Sequence, residues 1–367
     1  GDEGDEQVNG HNTRTRVFDV SDLDTPVLLG YHDGSTGAID HNMYTHANVL
    51  YQANYQAGLQ VLDILDPANP GPGLVEVAFF DTYPSSNGAS FNGAWSVYPY
   101  FPSGNVIISS IDEGLFVVRP PVAGRIPLRV KLQGPYEAGT GLMNDHLRVQ
   151  GLLPFTEPYT ALGYTHVGGG GESTAAPVFS ITGPNAIVDW VILELRDRND
   201  PTQVLATRSG LLQRDGDVVD MDGTTPVEFT VPMGLYHVAV RHRNHLGVMS
   251  KQPLPIGISN KVQDLSNGSI DLFGTEPALD LNGTLLLWSG NALGDDRVKY
   301  TGGSNDRDEV LQAIGGVVPT ATITGYASQD VDLNGEVKYT GSGNDRDPIL
   351  QNIGGVVPTT VRVEQLP

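Results

Sequence analysis

The chain has 367 residues and a formal net charge of −22, from 43 acidic and 21 basic side chains. This charge disfavours nucleic acid and anionic membrane surfaces as partners, because both are bound mainly through Lys and Arg. The absence of cysteine excludes disulfides and thiol chemistry, and no apolar run of about 18 residues that would span a bilayer occurs. The 45 Gly and 25 Pro indicate a turn-rich chain of mainly β structure.

The first region, residues 1–122, repeats a strand and its following turn at an offset of 44 residues. A repeat of this length that contains strands and turns is typical of β-propeller blades. A further strand is predicted at Gly114–Val118, near the end of the region. The repeated aspartates are interpreted as turn formers rather than as ligands. The repeated residues are Asp19 and Asp63, Asp22 and Asp66, and Pro26 and Pro70.

This region resembles the LVIVD-repeat, choice-of-anchor B proteins, which are secreted bacterial proteins of the Bacteroidota type. The resemblance implies a β-propeller and a secreted or cell-surface location. Two to three blades cannot close a ring, because propellers need at least about four. We therefore expect the missing blades upstream in a longer precursor or on another chain. The segments that carry the resemblance are Asp40–Tyr44, Tyr51–Tyr55, Gly93–Ser96 and Phe101–Asn105.

The middle region, residues 123–275, contains strands in which apolar and polar residues alternate, and predicts an antiparallel β-sandwich. Its segment Ile187–Met249 is similar to a module of large secreted Bacteroidota proteins. The run Arg241–His245 predicts either a polar strand end or a weak metal site. The acidic run Asp215–Asp222 predicts either a solvated hairpin tip or a calcium loop.

The last region, residues 276–367, carries a tandem duplication at an offset of 39 residues. Lys299–Asp308 recurs as Lys338–Asp347, and Leu311–Pro319 recurs as Leu350–Pro358. Each copy predicts a polar loop followed by a short helix that ends at a Gly-Gly pair.

The second copy predicts a calcium loop. Asp330, Asp332 and Asn334 occupy positions 1, 3 and 5 of an EF-hand-type pattern, and a Gly follows at position 6. Oxygen side chains at this spacing surround a hard cation, and Glu336 at position 7 contributes its backbone carbonyl. Position 12 is a Gly rather than an acid, so the closing ligand is expected among three later residues. These residues are Asn344, Asp345 and Asp347.

The first copy predicts a weaker calcium site. Leu293 replaces the oxygen ligand at position 3, and Asp296 replaces the Gly at position 6. The alternative for both copies is a polar turn without an ion. The candidate ligands of the first copy are Asn291, Asp295, the Arg297 carbonyl, Asp306 and Asp308.

A duplicated loop and helix resembles a dockerin-type module with an inserted turn. A cohesin partner does not carry over from this resemblance, because the inserted turn and the short helices depart from the family pattern. The similarity of the two copies predicts a pseudo-twofold arrangement, with Lys299, Tyr300 and Arg307 equivalent to their counterparts in the second copy.

No nucleophile, zinc-protease or nucleotide-binding motif occurs. The sequence therefore favours a non-catalytic secreted or cell-surface protein of adhesion, matrix or filament type, stabilised by calcium. Its expected partners are other protein subunits or extracellular glycans. One alternative is a component that binds or degrades polysaccharides, and another is a self-assembling fibre subunit. The aromatic residues that favour sugar stacking are Trp95, Tyr98, Tyr100 and Phe101.

Overall fold

The computed structural model describes residues 1, 3–46, 48–64, 67–119, 124–231, 234–257 and 261–367. Strands hold 36% of the residues and helices 10%, which confirms the predicted mainly β class. The repeated aspartate Asp66 lies outside the described residues. The chain divides into two compact units. The first comprises residues 1–125, 230–235 and 255–261, and the second comprises residues 126–229, 236–254 and 262–367.

The predicted sandwich and repeat regions thus fall largely within one compact unit, the second. The first unit consists mainly of three antiparallel sheets, formed by β1–β2, by β3–β6 and by β7–β9 in chain order. Its elements are α1 (Asp5–Asn9), β1 (Arg14–Asp19), β2 (Val27–Asp33), β3 (Met43–His46), β4 (Val49–Ala53), β5 (Leu59–Ile64), α2 (Pro70–Gly73), β6 (Leu74–Phe80), β7 (Ala94–Tyr98), β8 (Val106–Ser110) and β9 (Gly114–Val118).

The middle sheet of the first unit packs apolar side chains on both faces. Val61 on one face belongs to a core with Ile108 of the third sheet, while Leu62 on the other face packs with Val17 of the first sheet. Successive side chains of a strand point to opposite faces, so β5 serves both cores. Asp19 accepts a hydrogen bond from the Ser21 N–H, as a turn former does, whereas its repeat partner Asp63 is buried within β5.

Most of the remaining elements belong to the second unit, while β10, β18 and β20 each have residues in both units. The elements are β10 (Gly124–Ile126), β11 (Leu128–Arg129), β12 (Tyr136–Glu137), β13 (Leu142–Met143), α3 (His146–Val149), two short 3₁₀ turns (Val178–Ser180 and Gly183–Asn185), β14 (Ile187–Arg196), β15 (Val204–Gln213), β16 (Asp217–Val219), β17 (Val227–Phe229), β18 (Gly234–Arg241), β19 (Val248–Met249), β20 (Leu254–Ile256), β21 (Gln263–Asp264), β22 (Leu279–Leu281), β23 (Thr284–Leu286), β24 (Arg297–Lys299), α4 (Asp306–Ala313), β25 (Thr322–Thr324), β26 (Glu336–Lys338), α5 (Arg346–Asn352) and β27 (Val361–Val363).

The largest sheet of the chain curls into a half-barrel. Its path runs β19-β18-β14-β15-β16-β11-β21, and β14 and β15 form its long central hairpin. Every residue of β14 is buried, including its polar residues Asp189, Glu194 and Arg196. An alternating sequence predicts a strand with one exposed face, but β14 is buried on both faces. The C-terminal repeats pack near its polar side chains and cover them.

The two C-terminal repeats exchange strands. β24 of the first copy pairs with β27, which follows the second copy, and β26 of the second copy pairs with β25, which follows the first. The Thr301 hydroxyl donates to the Pro358 carbonyl at 2.8 Å, and the Thr340 hydroxyl donates to the Pro319 carbonyl at 2.9 Å. These reciprocal contacts give the duplicated segments equivalent surroundings and a shared apolar core.

Candidate metal site

The loop between β25 and β26 and the start of α5 bring three carboxylates together. One carboxylate oxygen from each of Asp330, Asp332 and Asp345 lies within 4.8 Å of the others. Asp330 and Asp345 are buried, and Asp332 is half-buried. Among the residues that the structure describes, this is the group of three or more acidic or histidine side chains that converges closely enough to hold a metal ion.

Two residues of the loop have a left-handed backbone conformation, which turns the chain sharply. Leu333 has φ 59° and Gly335 has φ 89°, a region that favours glycine. The N–H groups of Asn334 and Gly335 turn inward and donate to the two oxygens of Asp330, at 3.1 and 2.8 Å. A Cβ on Gly335 would also lie 2.7 Å from the side-chain amide of Gln150. Glycine at position 6 therefore suits the left-handed backbone, and a side chain there would displace the exposed end of Gln150.

Asp345 fastens the start of α5 to this loop. Its two carboxylate oxygens accept hydrogen bonds from the N–H groups of Val331 and Lys338, each at 2.8 Å. Val331 lies inside the loop and Lys338 at the end of β26, so one side chain joins the loop, the strand and the helix. Asp345 is thus the closing residue of the second copy that the structure places in the cluster.

All three acids of the cluster have raised pKa values. Burial raises the pKa of Asp330, the charge of Arg243 opposes this rise and the charge of Asp332 adds to it, and the pKa is about 7. Burial and the charge of Asp332 raise the pKa of Asp345 to about 8, and burial also raises the pKa of Asp332. Three carboxylates that all carry charge in this space repel one another, and a divalent cation would remove that repulsion.

The donor set fits a hard cation. Calcium binds carboxylate and carbonyl oxygens at about 2.3–2.6 Å in flexible geometry, and each of the three acids can present an oxygen to the common centre. Asn334 lies beside the cluster, where its amide donates to Asp332 Oδ2 at 3.0 Å and its oxygen accepts from the Glu336 N–H at 2.8 Å. Glu336 is half-buried at the start of β26.

The structure places the other two candidates of the second copy at the start of the helix. Asn344 accepts from the Asp347 N–H at 2.9 Å and donates to the Asp347 carboxylate at 2.8 Å. Asp347 also pairs with Arg346 at 2.8 Å. These contacts lower the pKa of Asp347. Asn344 and Asp347 therefore form a capping arrangement and lie outside the acidic cluster.

The first copy has the same framework with fewer acids. Asp306 corresponds to Asp345 and accepts from the N–H groups of Leu293 and Lys299, at 3.0 and 2.7 Å. Burial raises the pKa of Asp306 to about 7. Asn291 is buried at position 1, and its side-chain oxygen accepts from the backbone N–H of Asp295 at 3.1 Å.

The remaining candidates of the first copy are exposed or paired with a base. Asp295 and Arg297 are exposed, and Asp308 pairs with Arg307 at 2.8 Å as Asp347 pairs with Arg346. Asp296 adopts φ 63° in place of the glycine at position 6, and its carboxylate binds Arg241. The substitution of Leu293 for an acid leaves this loop without the second central carboxylate.

One residue of the half-barrel contacts both loops at their first ligand position. The buried Asn244 donates through its amide to the Asp330 carbonyl at 2.6 Å and to the Ser328 carbonyl at 3.1 Å. Its own backbone carbonyl accepts from the N–H groups of Gly290 and Asn291, each at 3.1 Å. The segment Arg241–His245 thus contacts both C-terminal repeats through Asn244. Two side chains of this segment, Arg243 and Asn244, donate to backbone carbonyls of the second-copy loop.

Next to Asn244 lies a buried charged network that the sequence does not reveal. Arg243 pairs with Asp189 of β14 at 3.0 Å and donates to the Ala327 carbonyl. His242 Nε2 lies 3.1 Å from Asp189, and the Tyr326 hydroxyl donates to Asp189 at 2.6 Å. Burial opposes the charge of Asp189, but Arg243 and His242 outweigh it and lower its pKa to about 2. Burial lowers the pKa of His242, so the ring is neutral near pH 7.

The acidic run Asp215–Asp222 does not converge on one point. Asp217 pairs with Arg129 at 2.7 Å, and Asp220 pairs with Arg208 at 2.8 Å. Each of these two acids therefore has its own basic partner, and neither belongs to a group of converging acids among the described residues.

Comparison with protein-family models, curated proteins and solved structures finds no match to this chain. Within the described residues, no helix is long and apolar enough to cross a membrane. We therefore infer the function from the chain's own residues, chiefly from the cluster of Asp330, Asp332 and Asp345.

Proposed function

We propose that this protein is a calcium-stabilised, non-catalytic modular protein that is secreted or held at the cell surface, with an adhesion, matrix or filament role. The observation that carries the proposal is the convergence of Asp330, Asp332 and Asp345 in a loop with EF-hand-type spacing. Such loops serve extracellular modules as structural calcium sites, with Kd values of about 10⁻⁴–10⁻³ M.

In this proposal, the three carboxylates bind the ion. The loop pattern implies two further ligands, the Asn334 side chain and the Glu336 backbone carbonyl. Calcium supplies positive charge where the acids repel each other, and it joins the loop to α5 through Asp345. Because the loop also contacts Asn244 of the half-barrel, the bound ion would stabilise the whole second unit rather than the repeats alone.

The proposed modules are propeller-type blades of the LVIVD kind, a β-sandwich and a dockerin-like repeat pair. The stacking of three sheets in chain order in the first unit supports the blades. The half-barrel sheet is the β-rich body from which the sandwich is inferred. Each repeat consists of a loop followed by a helix, and the side chains of Asn305 and Asn344 cap the first turns of the two helices. This shared arrangement supports the repeat module.

Thermal unfolding in EDTA and in millimolar calcium tests the proposal. Calcium at about 10 mM is about ten to one hundred times such a Kd and stabilises the protein by about 1.4–2.7 kcal/mol. For a unit of this size, that energy raises the Tm by about 3–10 °C. The Asp332→Ala variant should lose most of this shift, because it removes a central carboxylate.

The matched control is Asp347→Asn, which removes an acid of the same copy that lies outside the cluster. This variant should retain the calcium-dependent shift even if its baseline Tm falls slightly. A wild-type Tm that is the same in EDTA and in calcium would refute the proposal. An equal loss of the shift in both variants would show a diffuse ionic effect instead of a site.

A second candidate function, the self-assembling fibre subunit, is favoured by one surface. Leu115 and Val117 of β9, the last strand of the third sheet, are both exposed, and they alternate with Phe116 and Val118, which pack inward. An apolar face on an edge strand invites pairing with another copy. Light scattering tests this candidate: wild-type assembly that Val117→Lys abolishes supports it, and a monomer at all concentrations rejects it.

A further inference from the structure

Residues 82–110 of the first unit contain no Asp, Glu, Lys, Arg or His, although the chain as a whole carries a charge of −22. The segment consists largely of aromatic residues together with Ser, Asn, Gly and Pro. Aromatic residues combined with Ser, Gly and Asn are typical of binding surfaces, because rigid rings supply contact area and small polar groups supply adaptable hydrogen bonds. This composition sets the segment apart from the rest of the chain.

The aromatic side chains of the segment are not buried in the core. Five of them are between 40% and 48% exposed. Single exposed apolar side chains are ordinary on proteins, but a group of large rings in one stretch marks an interaction surface. The five residues are Phe91, Trp95, Tyr98, Tyr100 and Phe101.

Trp95 and Tyr98 lie on β7, Phe91 precedes this strand, and Tyr100 and Phe101 follow it. Near one end, Trp95 contacts His41 with the ring centroids 4.3 Å apart. Further along, Tyr100 lies 6.2 Å from Tyr44 and 5.4 Å from Tyr98 in edge-to-face geometry. Trp95 and Tyr98 are three strand residues apart, which is about 10 Å. Edge contacts hold the rings in place from the side and leave ring surface to solvent, as their exposure shows.

The charges that border the segment are few and already engaged. Asp112 accepts from the Asn92 amide at 3.2 Å and from the Gly93 N–H at 3.0 Å. Arg119 donates to the Asn105 side chain at 3.0 Å.

At the Trp95 end, His41 Nε2 lies 3.7 Å from the Glu3 carboxylate, which also accepts from the Tyr55 hydroxyl. His46 contacts the Tyr100 ring. The charged groups described at this border are therefore engaged with one another or with the segment.

We propose that this aromatic surface, formed by Phe91, Trp95, Tyr98, Tyr100 and Phe101, binds a neutral polysaccharide. The C–H faces of sugar rings pack on exposed aromatic rings, and sugar hydroxyls find hydrogen-bond partners in the Ser, Asn and Tyr side chains of the segment. Among the described residues, the basic groups Arg119 and His41 at the border of the surface already have partners, which disfavours acidic polysaccharides and nucleic acid. This inference is independent of the calcium site, which lies in the other unit.

Binding to an array of immobilised polysaccharides tests the inference. The array contains neutral glucans, mannans, xylans and galactans, with polygalacturonate and alginate as acidic comparisons. The full-length chain should bind at least one neutral polymer and prefer it to the acidic ones. The Tyr98→Ser and Phe101→Ser variants should each weaken that binding roughly tenfold, as expected for the loss of one stacked ring.

The matched control is Phe79→Ser, which removes a ring on β6 that is 67% exposed and lies outside the segment. This variant should bind the neutral polymer like the wild type. Thermal unfolding of each variant separates a lost contact from a lost fold. Trp95→Ala serves as a third variant, because Trp95 lies at the opposite end of the surface from Phe101.

Three results would overturn the inference. The first is no retention on any neutral polymer, and the second is stronger binding to the acidic polymers. The third is unchanged binding by the folded Tyr98→Ser, Phe101→Ser and Trp95→Ala variants. If these variants instead change the oligomeric state in light scattering while no polymer is bound, the surface is an interface between copies of the chain and the inference is wrong.

Discussion

Asn244→Ala is expected to destabilise the second unit, because this side chain joins the half-barrel to the candidate calcium loop. The amide donates to the carbonyls of Asp330 and Ser328 at 2.6 and 3.1 Å, and both bonds are lost in the variant. A buried polar group left without a partner costs about 1–3 kcal/mol. Asp330 is fully buried and Ser328 half-buried, so the expected loss is about 2–3 kcal/mol.

Urea unfolding followed by far-UV circular dichroism measures this loss, with Asn199→Ala as a matched control at an exposed position. The control should stay within about 0.5 kcal/mol of the wild type, as surface substitutions usually do. The loss in Asn244→Ala should appear both in EDTA and in calcium, since the broken bonds are to backbone carbonyls and not to the ion. A loss below about 0.5 kcal/mol, or separate melting of the repeats in the wild type, would refute the coupling.

Two further predictions concern buried charge and pH. Arg243→Met leaves Asp189 charged and buried without its cation, so unfolding in urea should show a loss of about 3–5 kcal/mol; a loss below about 1 kcal/mol contradicts the pairing. Burial raises the pKa of Asp345 to about 8. Its contribution to stability in EDTA is therefore complete below its unfolded value of about 3.9 and is lost as the pH rises through about 8. The Tm in EDTA should fall between pH 6 and pH 9, and the fall should be smaller in Asp345→Asn; an equal fall in the variant would contradict this origin.

Local patterns in the sequence predicted local structure well. The strand predicted at Gly114–Val118 matches β9, because its apolar residues and flanking turns specify the strand without contacts from distant residues. The loop of Asp330 is recognisable for the same reason, since its ligands are two residues apart and its glycine has φ 89°. Among the three closing candidates, the sequence did not single out Asp345, because capping and ligation use the same residue types.

Contacts between distant residues could not be predicted in this way. Asn244 and Asp330 are 86 residues apart, and Tyr326 and Asp189 are 137 apart. The acid in β14 looks like an exposed polar position in an alternating strand, and only the fold shows that Arg243 and Tyr326 cover it. The same limit applies to the aromatic run that includes Trp95, whose exposure depends on which sheets pack against it.

Anomalous difference density from crystals grown in calcium tests the central claim most directly. We expect a single strong peak about 2.3–2.6 Å from carboxylate oxygens of Asp330, Asp332 and Asp345, with the peak absent in Asp345→Asn crystals grown in the same solution. A map without a peak at this loop, in which the three acids keep only the hydrogen bonds to backbone N–H groups seen here, would contradict a calcium site and with it the proposed stabilising role of the repeats.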